Sequence, residues 1–398
     1  MAMKRINFDH LACSQILSEA KEAMIPFLSE DIGNPLSKHM FGAGPKAAVE
    51  QARSDAAGLI NANSEEIVFT SCGSESNNLA IKGAAAGYAK KGKHIIASPI
   101  EHHSVLHPLK NLEKQGYQIS WLSVDGKGNV SPQEVAGLIK QDTVLITVTS
   151  GSNEIGTIEP IKEIGKIAKE KAVLLHTDAV ACAGFIPIDV KELNADLLSI
   201  AGNVFYGPQG TGALYIRKGT RVLPLIEGGI QEAGLRAGTH NVAGIAGMGV
   251  AARIAKEKLE ERRNYFLNMR EKLIEGVVNK VPDCFLTGER ANRLPNHASF
   301  CIKYIEGESI LLHLNFLGIA GTSGSTCSSE ALKVSSVLDA IGIDPIWAQG
   351  SVVFTLGIDN SVEDVDFLLQ NFPGVIETWR MMSPISKASD LDKFRARK

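Results

Sequence analysis

Between residues 67 and 216, short β-rich runs alternate with helical stretches, and no other feature of the chain restricts its fold as strongly. The runs fall at 67–70, 94–97, 119–124, 144–149, 173–176, 197–200 and 212–216. This rhythm predicts an α/β protein with a mostly parallel, helix-covered sheet. The pocket of such a sheet lies at the carboxyl ends of its strands. Ser71, Glu101, Asn153, Asp178 and Ala201 follow predicted runs and are expected to converge on one site.

With 398 residues and 44% hydrophobic content the chain can bury a large core and has the length of a two-domain subunit. A long charged helix over about 250–278 is expected to lead from a large domain into a smaller C-terminal α+β domain, with the boundary near residue 258. The formal net charge of -3, from 41 basic and 44 acidic residues, gives no nucleic-acid or membrane footprint beyond a short basic tail at 393–398. There is neither a signal-peptide core nor a run of about 18 apolar residues, so a cytoplasmic location is expected. Six cysteines, Cys13, Cys72, Cys182, Cys284, Cys301 and Cys327, are widely spaced with no Cys-x-x-Cys pair, which argues for reduced thiols. Cys284 and Cys301 read as core residues.

Several motifs carry chemistry. In FTSCGSESNNLAIKG, at 69–83, Gly73 and Ser74 sit between a predicted strand and a helix expected to start near Ser76, so backbone N–H groups and the helix dipole can face an anion. SPIEHHSVLHP follows at 98–108, SNEIGTIEP at 152–160, HTDAV at 176–180, GLRAGTHN at 234–241 and GTSGSTCSS at 321–329. The segment LLSIAGNVFYGPQGTGALYIRK, at 197–218, reads as a buried strand, a small-residue turn, a Gly-Pro-x-Gly bend and a second strand.

In this order the motifs resemble those of the cysteine desulfurases, members of the class V aminotransferase fold that use pyridoxal phosphate (PLP). The resemblance implies a PLP-transferase-like fold of type I, with residues 1–20 packing near the pocket, a large domain over 21–258 and a small one over 259–398. It implies that Gly73 and Ser74 cradle the phosphate, His102 stacks on the ring, Asn153 contacts the phenolic oxygen and substrate, and Asp178 pairs with the ring nitrogen. Thr239 matches a phosphate ligand donated across a homodimer interface. PLP also needs an amine for its Schiff base, and here the chain departs from the family. The His-Lys pair reads Asn203-Val204, the phosphate-binding serine is Ala201, the glutamine after HTDAV is Ala181, and Val353 stands where the family has an arginine for the substrate carboxylate. Valine can neither form an imine nor move a proton at the substrate α-carbon. Without the bidentate arginine, free cysteine loses its main handle.

Cys327 remains, in a Gly-, Ser- and Thr-rich stretch that matches the family's mobile sulfur-carrying loop. The expected function is a desulfurase-like protein of iron–sulfur cluster assembly: a homodimer that transfers sulfur as a Cys327 persulfide, or an Fe–S cluster, to a scaffold or sulfur-acceptor protein, without PLP chemistry of its own. One alternative is an active desulfurase with non-covalently bound PLP. Another is a vacated pocket in which Cys13, Cys182 and Cys327 bind an iron–sulfur cluster or other metal. A third is a binding partner of an active paralogue, for which Cys327 would be dispensable.

Overall fold

The computed structural model describes residues 4–324 and 335–383; Cys327 and the basic tail lie outside the described residues. A seven-stranded sheet runs in the order Ile67–Thr70, Gly212–Ile216, Leu197–Ala201, Leu174–Asp178, Thr143–Thr147, His94–Ala97, Gln118–Trp121. Gly212–Ile216 is antiparallel to both neighbours, and every other pairing is parallel.

Both faces of the sheet are covered, and the two-residue period of a strand explains how. Ala213 and Tyr215 pack with helices Met40–Leu59 and Val242–Glu257, whereas Leu214 and Ile216 pack with helices Gly73–Gly87 and His103–Lys114. The helices of the first pair come close because small residues face each other. A Cβ on Gly249 would stand 2.5 Å from Ala52 Cα, so only glycine fits there.

Cys284–Leu286, His297–Ile302 and Ser351–Thr355 form a separate antiparallel sheet of three strands, against which helices Leu259–Lys280 and Val362–Met382 bury Phe266, Leu273, Leu368 and Phe372. The N-terminal segment ties this small sheet to the large one. Ile6–Asn7 pairs with Ile319–Ala320, and Phe8 is fully buried edge-on to Phe354, with ring centroids 6.2 Å apart. Ser14 N and Leu17 N then donate to Asn203 O and Tyr206 O.

Two expectations change in detail. The run at 119–124 shortens to Gln118–Trp121, an edge strand with one partner and a half-exposed surface. The helix expected over 250–278 is two helices, Val242–Glu257 and Leu259–Lys280, broken at Lys258, where neither proline nor glycine accounts for the break.

Glu232 holds the GLRAGTHN segment to the large sheet. It takes Arg53 through both guanidinium nitrogens at 2.6 and 2.8 Å, His240 Nε2 at 2.7 Å and the Phe69 backbone N–H at 2.7 Å. Burial by itself would raise its carboxyl, but the Arg53 and His240 hydrogen bonds overcome that and hold it down to about 2. A depressed carboxyl stabilises the fold above its unfolded value of about 4.3, and this contribution is lost as pH falls toward the folded value. We predict that it is about 3 kcal/mol at neutral pH. Glu232→Ala, which leaves the largely buried Arg53 with only Glu50 and the Ile67 carbonyl, should cost about 3 kcal/mol in denaturant unfolding at pH 7. That difference should shrink as the pH is lowered through 4 toward 2.

Candidate functional site

A cavity of about 370 Å³ opens where the parallel strands end. Gly73, Ser74, Glu101, His102, Asn153, Asp178, Ala181, Ala201, Asn203, Val204 and Val353 all line it. Loops at the carboxyl ends of strands are brought together in this way because a parallel sheet turns each of those ends toward the same edge.

Asp178 ends the strand Leu174–Asp178, so its carboxylate leaves the sheet directly into the cavity. Asn77 Nδ2 donates to its Oδ2 at 2.7 Å, and the Val180 backbone N–H to its Oδ1 at 2.9 Å. Burial raises this carboxyl, and the charge of His102 and these two donors oppose the rise. His102 caps the helix His103–Lys114. Its Nδ1 accepts from the Ser104 N–H at 3.1 Å and lies 2.7 Å from Ser104 Oγ. Ser104 Oγ also accepts from Asn77 Nδ2 at 2.8 Å, so His102, Ser104, Asn77 and Asp178 form one chain of polar contacts.

The helix after the strand Ile67–Thr70 begins at Gly73, earlier than the sequence implies. A Cβ on Gly73 would meet Val180 Cγ2 at 2.6 Å, so a larger residue there would press on the turn that follows Asp178. Asn153 lines the cavity with its side chain exposed, while its carbonyl lies 2.9 Å from His297 Nε2. Glu154, half-buried beside it, takes a hydrogen bond from Ser335, and desolvation raises its carboxyl to about 7.

The Gly-Pro bend fixes Val204. Gly202 N donates to Thr211 O at 3.0 Å and Gly207 N to Gly202 O at 2.8 Å, closing a tight loop around Asn203–Tyr206. Tyr206 takes the left-handed conformation (φ +70°), which is unfavourable for a side chain of its size. Burial of its ring, Arg262 5.0 Å above it and the Ile358 N–H on its hydroxyl hold it there. Val204 is 1% exposed and packs with Phe8, Phe185 and Tyr206 while bordering the cavity.

Thr239 is not brought to this cavity within one chain. It lines a second one of about 120 Å³ with Ser71, Glu232, Arg236 and His240. Cys13 and Cys182 do not line the main cavity either. Gln209 Nε2 lies 2.7 Å from Cys13 Sγ, and Cys182 is fully buried against Gly151, where burial pushes its thiol up. Among the described residues no group of three His, Cys, Asp or Glu is placed to hold a metal ion. Cys72, which the sequence also offers as a thiol of this pocket, does line the cavity, and Asn77 and Asp9 border it without being singled out by sequence reasoning. For Asn77 the one available signal is its position one helical turn after Gly73.

The residues match part of what PLP requires: a carboxylate for a ring nitrogen, an imidazole beside it and a helix N-terminus for a phosphate. They do not fit a covalently held PLP. Among the described residues that line the cavity there is no lysine, and therefore no amine to make the imine, and no arginine.

This fold, with its site at the strand ends, is that of an α/β PLP-type enzyme, and the class V aminotransferase family model matches residues 6–368. The chain belongs to that family. Within it, the chain is 48% identical to a cysteine desulfurase IscS of Dictyoglomus turgidum over 98% of this chain and 100% of that one. It is also 48% identical to a cysteine desulfurase IscS of Methanosarcina thermophila over 96% of this chain and 95% of that one. Among solved structures it resembles a NifS-like protein (TM-score 0.88, 35% identity, covering 94% of this chain and 100% of that one). It also resembles the apo cysteine desulfurase of Thermococcus onnurineus (TM-score 0.83, 28% identity, 94% and 95%).

The Asp178 contacts give a direct test of this geometry. Asn77→Ala removes a buried donor from a buried carboxylate, and should lower stability by about 1–3 kcal/mol in denaturant unfolding at neutral pH. The loss should lessen as the pH is lowered and Asp178 is protonated.

Proposed function

We propose that this chain is a cysteine desulfurase homologue of iron–sulfur cluster assembly that passes sulfur through Cys327 and does not draw it from cysteine by PLP chemistry of its own. The observation that carries this reading is the lining of the cavity, which keeps Asp178 and His102 but presents Val204, Asn203, Ala181 and Val353 and, among the described residues, neither lysine nor arginine. Its relatives' names support the pathway. The transfer needs no cofactor. The Cys327 thiolate attacks the outer sulfur of a donor persulfide and releases the donor thiolate. An acceptor thiolate then attacks the outer sulfur now on Cys327, and the Cys327 thiolate is regenerated.

A homodimer forms part of the proposal. Leu28, Met40, Phe41 and Ile230 are all more than 60% exposed and would be covered by a partner subunit that docked on them. Thr239, away from its own cavity, is then free to serve the other subunit's. The partners are a scaffold or sulfur-acceptor protein. A reducing cytoplasmic site of action agrees with the five described cysteines, all of them free thiols.

The test is incubation of the pure protein with PLP and L-cysteine. Alanine should not form, and borohydride should fix no PLP to the chain. Val204→Lys should restore a borohydride-trappable imine. Cys327→Ser should abolish uptake of sulfur from a small-molecule persulfide. Alanine formation by the unaltered chain would overturn the reading. The polar chain Asp178–Asn77–Ser104–His102 favours a second reading, a desulfurase that holds PLP reversibly. It predicts alanine formation without a borohydride-trapped adduct.

A further inference from the structure

The cavity retains four acidic groups against two imidazoles, those of His102 and His103. Asp9, Glu101, Glu154 and Asp178 all line it, and among the described residues no lysine or arginine does. Glu101 shows most clearly what is missing. It is 2% exposed, and its Oε1 accepts the Thr149 backbone N–H at 2.6 Å. Its Oε2 is buried with no hydrogen-bond partner among the described residues. A buried oxygen in that condition is costly, and a ligand that brings a donor removes the cost.

The remaining wall decides what kind of donor. Val204, Val353, Ala181 and Ala201 present hydrocarbon. No described side chain in the lining offers the guanidinium or ammonium that a ligand carboxylate would need. The described residues also lack three convergent metal ligands. An organic ammonium suits the site better than a metal ion, because it needs acceptors but no fixed coordination geometry.

We propose that this cavity recognises a small aliphatic ammonium ion that carries no carboxylate, with its N–H groups on Glu101 and Asp178 and its carbon chain against Val204 and Val353. The proposal rests on the reading that no PLP is anchored at residue 204. Binding is coupled to a proton. Burial and the nearby Asp178 charge hold the Glu101 carboxyl well above its ordinary range, so an arriving ammonium ion displaces the Glu101 proton to solvent. The other titratable groups facing the ligand are Asp9, whose carboxyl burial raises to about 6, together with Cys72, His102, His103, Glu154 and Asp178. Affinity therefore rises with pH while the amine stays charged.

The experiment is anaerobic titration calorimetry on the full-length protein, after its PLP content has been measured by absorbance and borohydride trapping. The probes are cysteamine, L-cysteine and 3-mercaptopropionate, which share a thiol and differ in the charged group. Cysteamine should bind at least about tenfold more tightly than L-cysteine, the ratio expected from one charge-assisted contact. 3-Mercaptopropionate should give no heat of binding. Heats measured in two buffers of different ionisation enthalpy should show proton release on cysteamine binding. Glu101→Gln keeps an acceptor for Thr149 and loses the charge; it should weaken cysteamine about tenfold and abolish the proton release, with the unfolding midpoint as its folding control. Val204→Lys supplies an internal ammonium and should prevent cysteamine from binding. If PLP-free protein fails to bind cysteamine, binds 3-mercaptopropionate equally well, or keeps its affinity in Glu101→Gln, this inference falls and the proposed function stands. If borohydride fixes PLP to the unaltered chain, the proposed function falls and this inference with it.

Discussion

A carboxylate at the end of a strand buried on both faces cannot be left to water. Asp178 is in that position, and the surrounding structure is arranged to satisfy it. Asn77 reaches it from the first turns of one helix, His102 stands beside it at the start of another, and the turn at Val180 supplies a backbone N–H. Each donor depends on the register of the element that carries it. The Gly73 helix must begin where it does, close against Val180, for Asn77 to face the carboxylate. The parallel sheet delivers these groups, and the polar chain from Asp178 to His102 holds them in one arrangement.

The opposite wall follows a different logic. The bend after the strand Leu197–Ala201 is held by backbone hydrogen bonds and by the buried Tyr206 ring, and the N-terminal segment is fastened to the same bend through Ser14 and Leu17. Phe8 then joins that segment to the three-stranded sheet. Residues far apart in sequence thereby border one cavity, from Asp9 through Val204 to Val353. Where this bend borders the cavity it presents hydrocarbon, the side chain of Val204, packed against Phe8, Phe185 and Tyr206. The polar half and the apolar half of the cavity therefore belong to different requirements: the polar half must satisfy buried charge, and the apolar half must close the core.

Much of the fold is legible in the sequence because its strands are short, apolar and punctuated by turns. The runs at 67–70, 94–97 and 212–216 coincide with the strands formed. The run at 119–124 is longer than the strand because an edge strand pairs on one side only and stops where its partner does. The break at Lys258 has no local signal, since it contains neither proline nor glycine. Of the candidate site residues, those at strand ends were legible from position and motif. Asn77 and Asp9 were not, because their roles arise from contacts with Asp178 and with the cavity rather than from any spacing of their own.

The sequence by itself determined the α/β class, the order of the strands' motifs and the chemical character of position 204, since an apolar side chain lacks an amine in any conformation. Tertiary structure alone decided that Asp9, Glu101, Glu154 and Asp178 border one cavity with no described lysine or arginine, that Thr239 lies away from that cavity within its own chain, and that Cys13 and Cys182 stand outside it. The physical reason is that charge balance in a cavity is a sum over residues distant along the chain, and only packing determines which of them enter the sum.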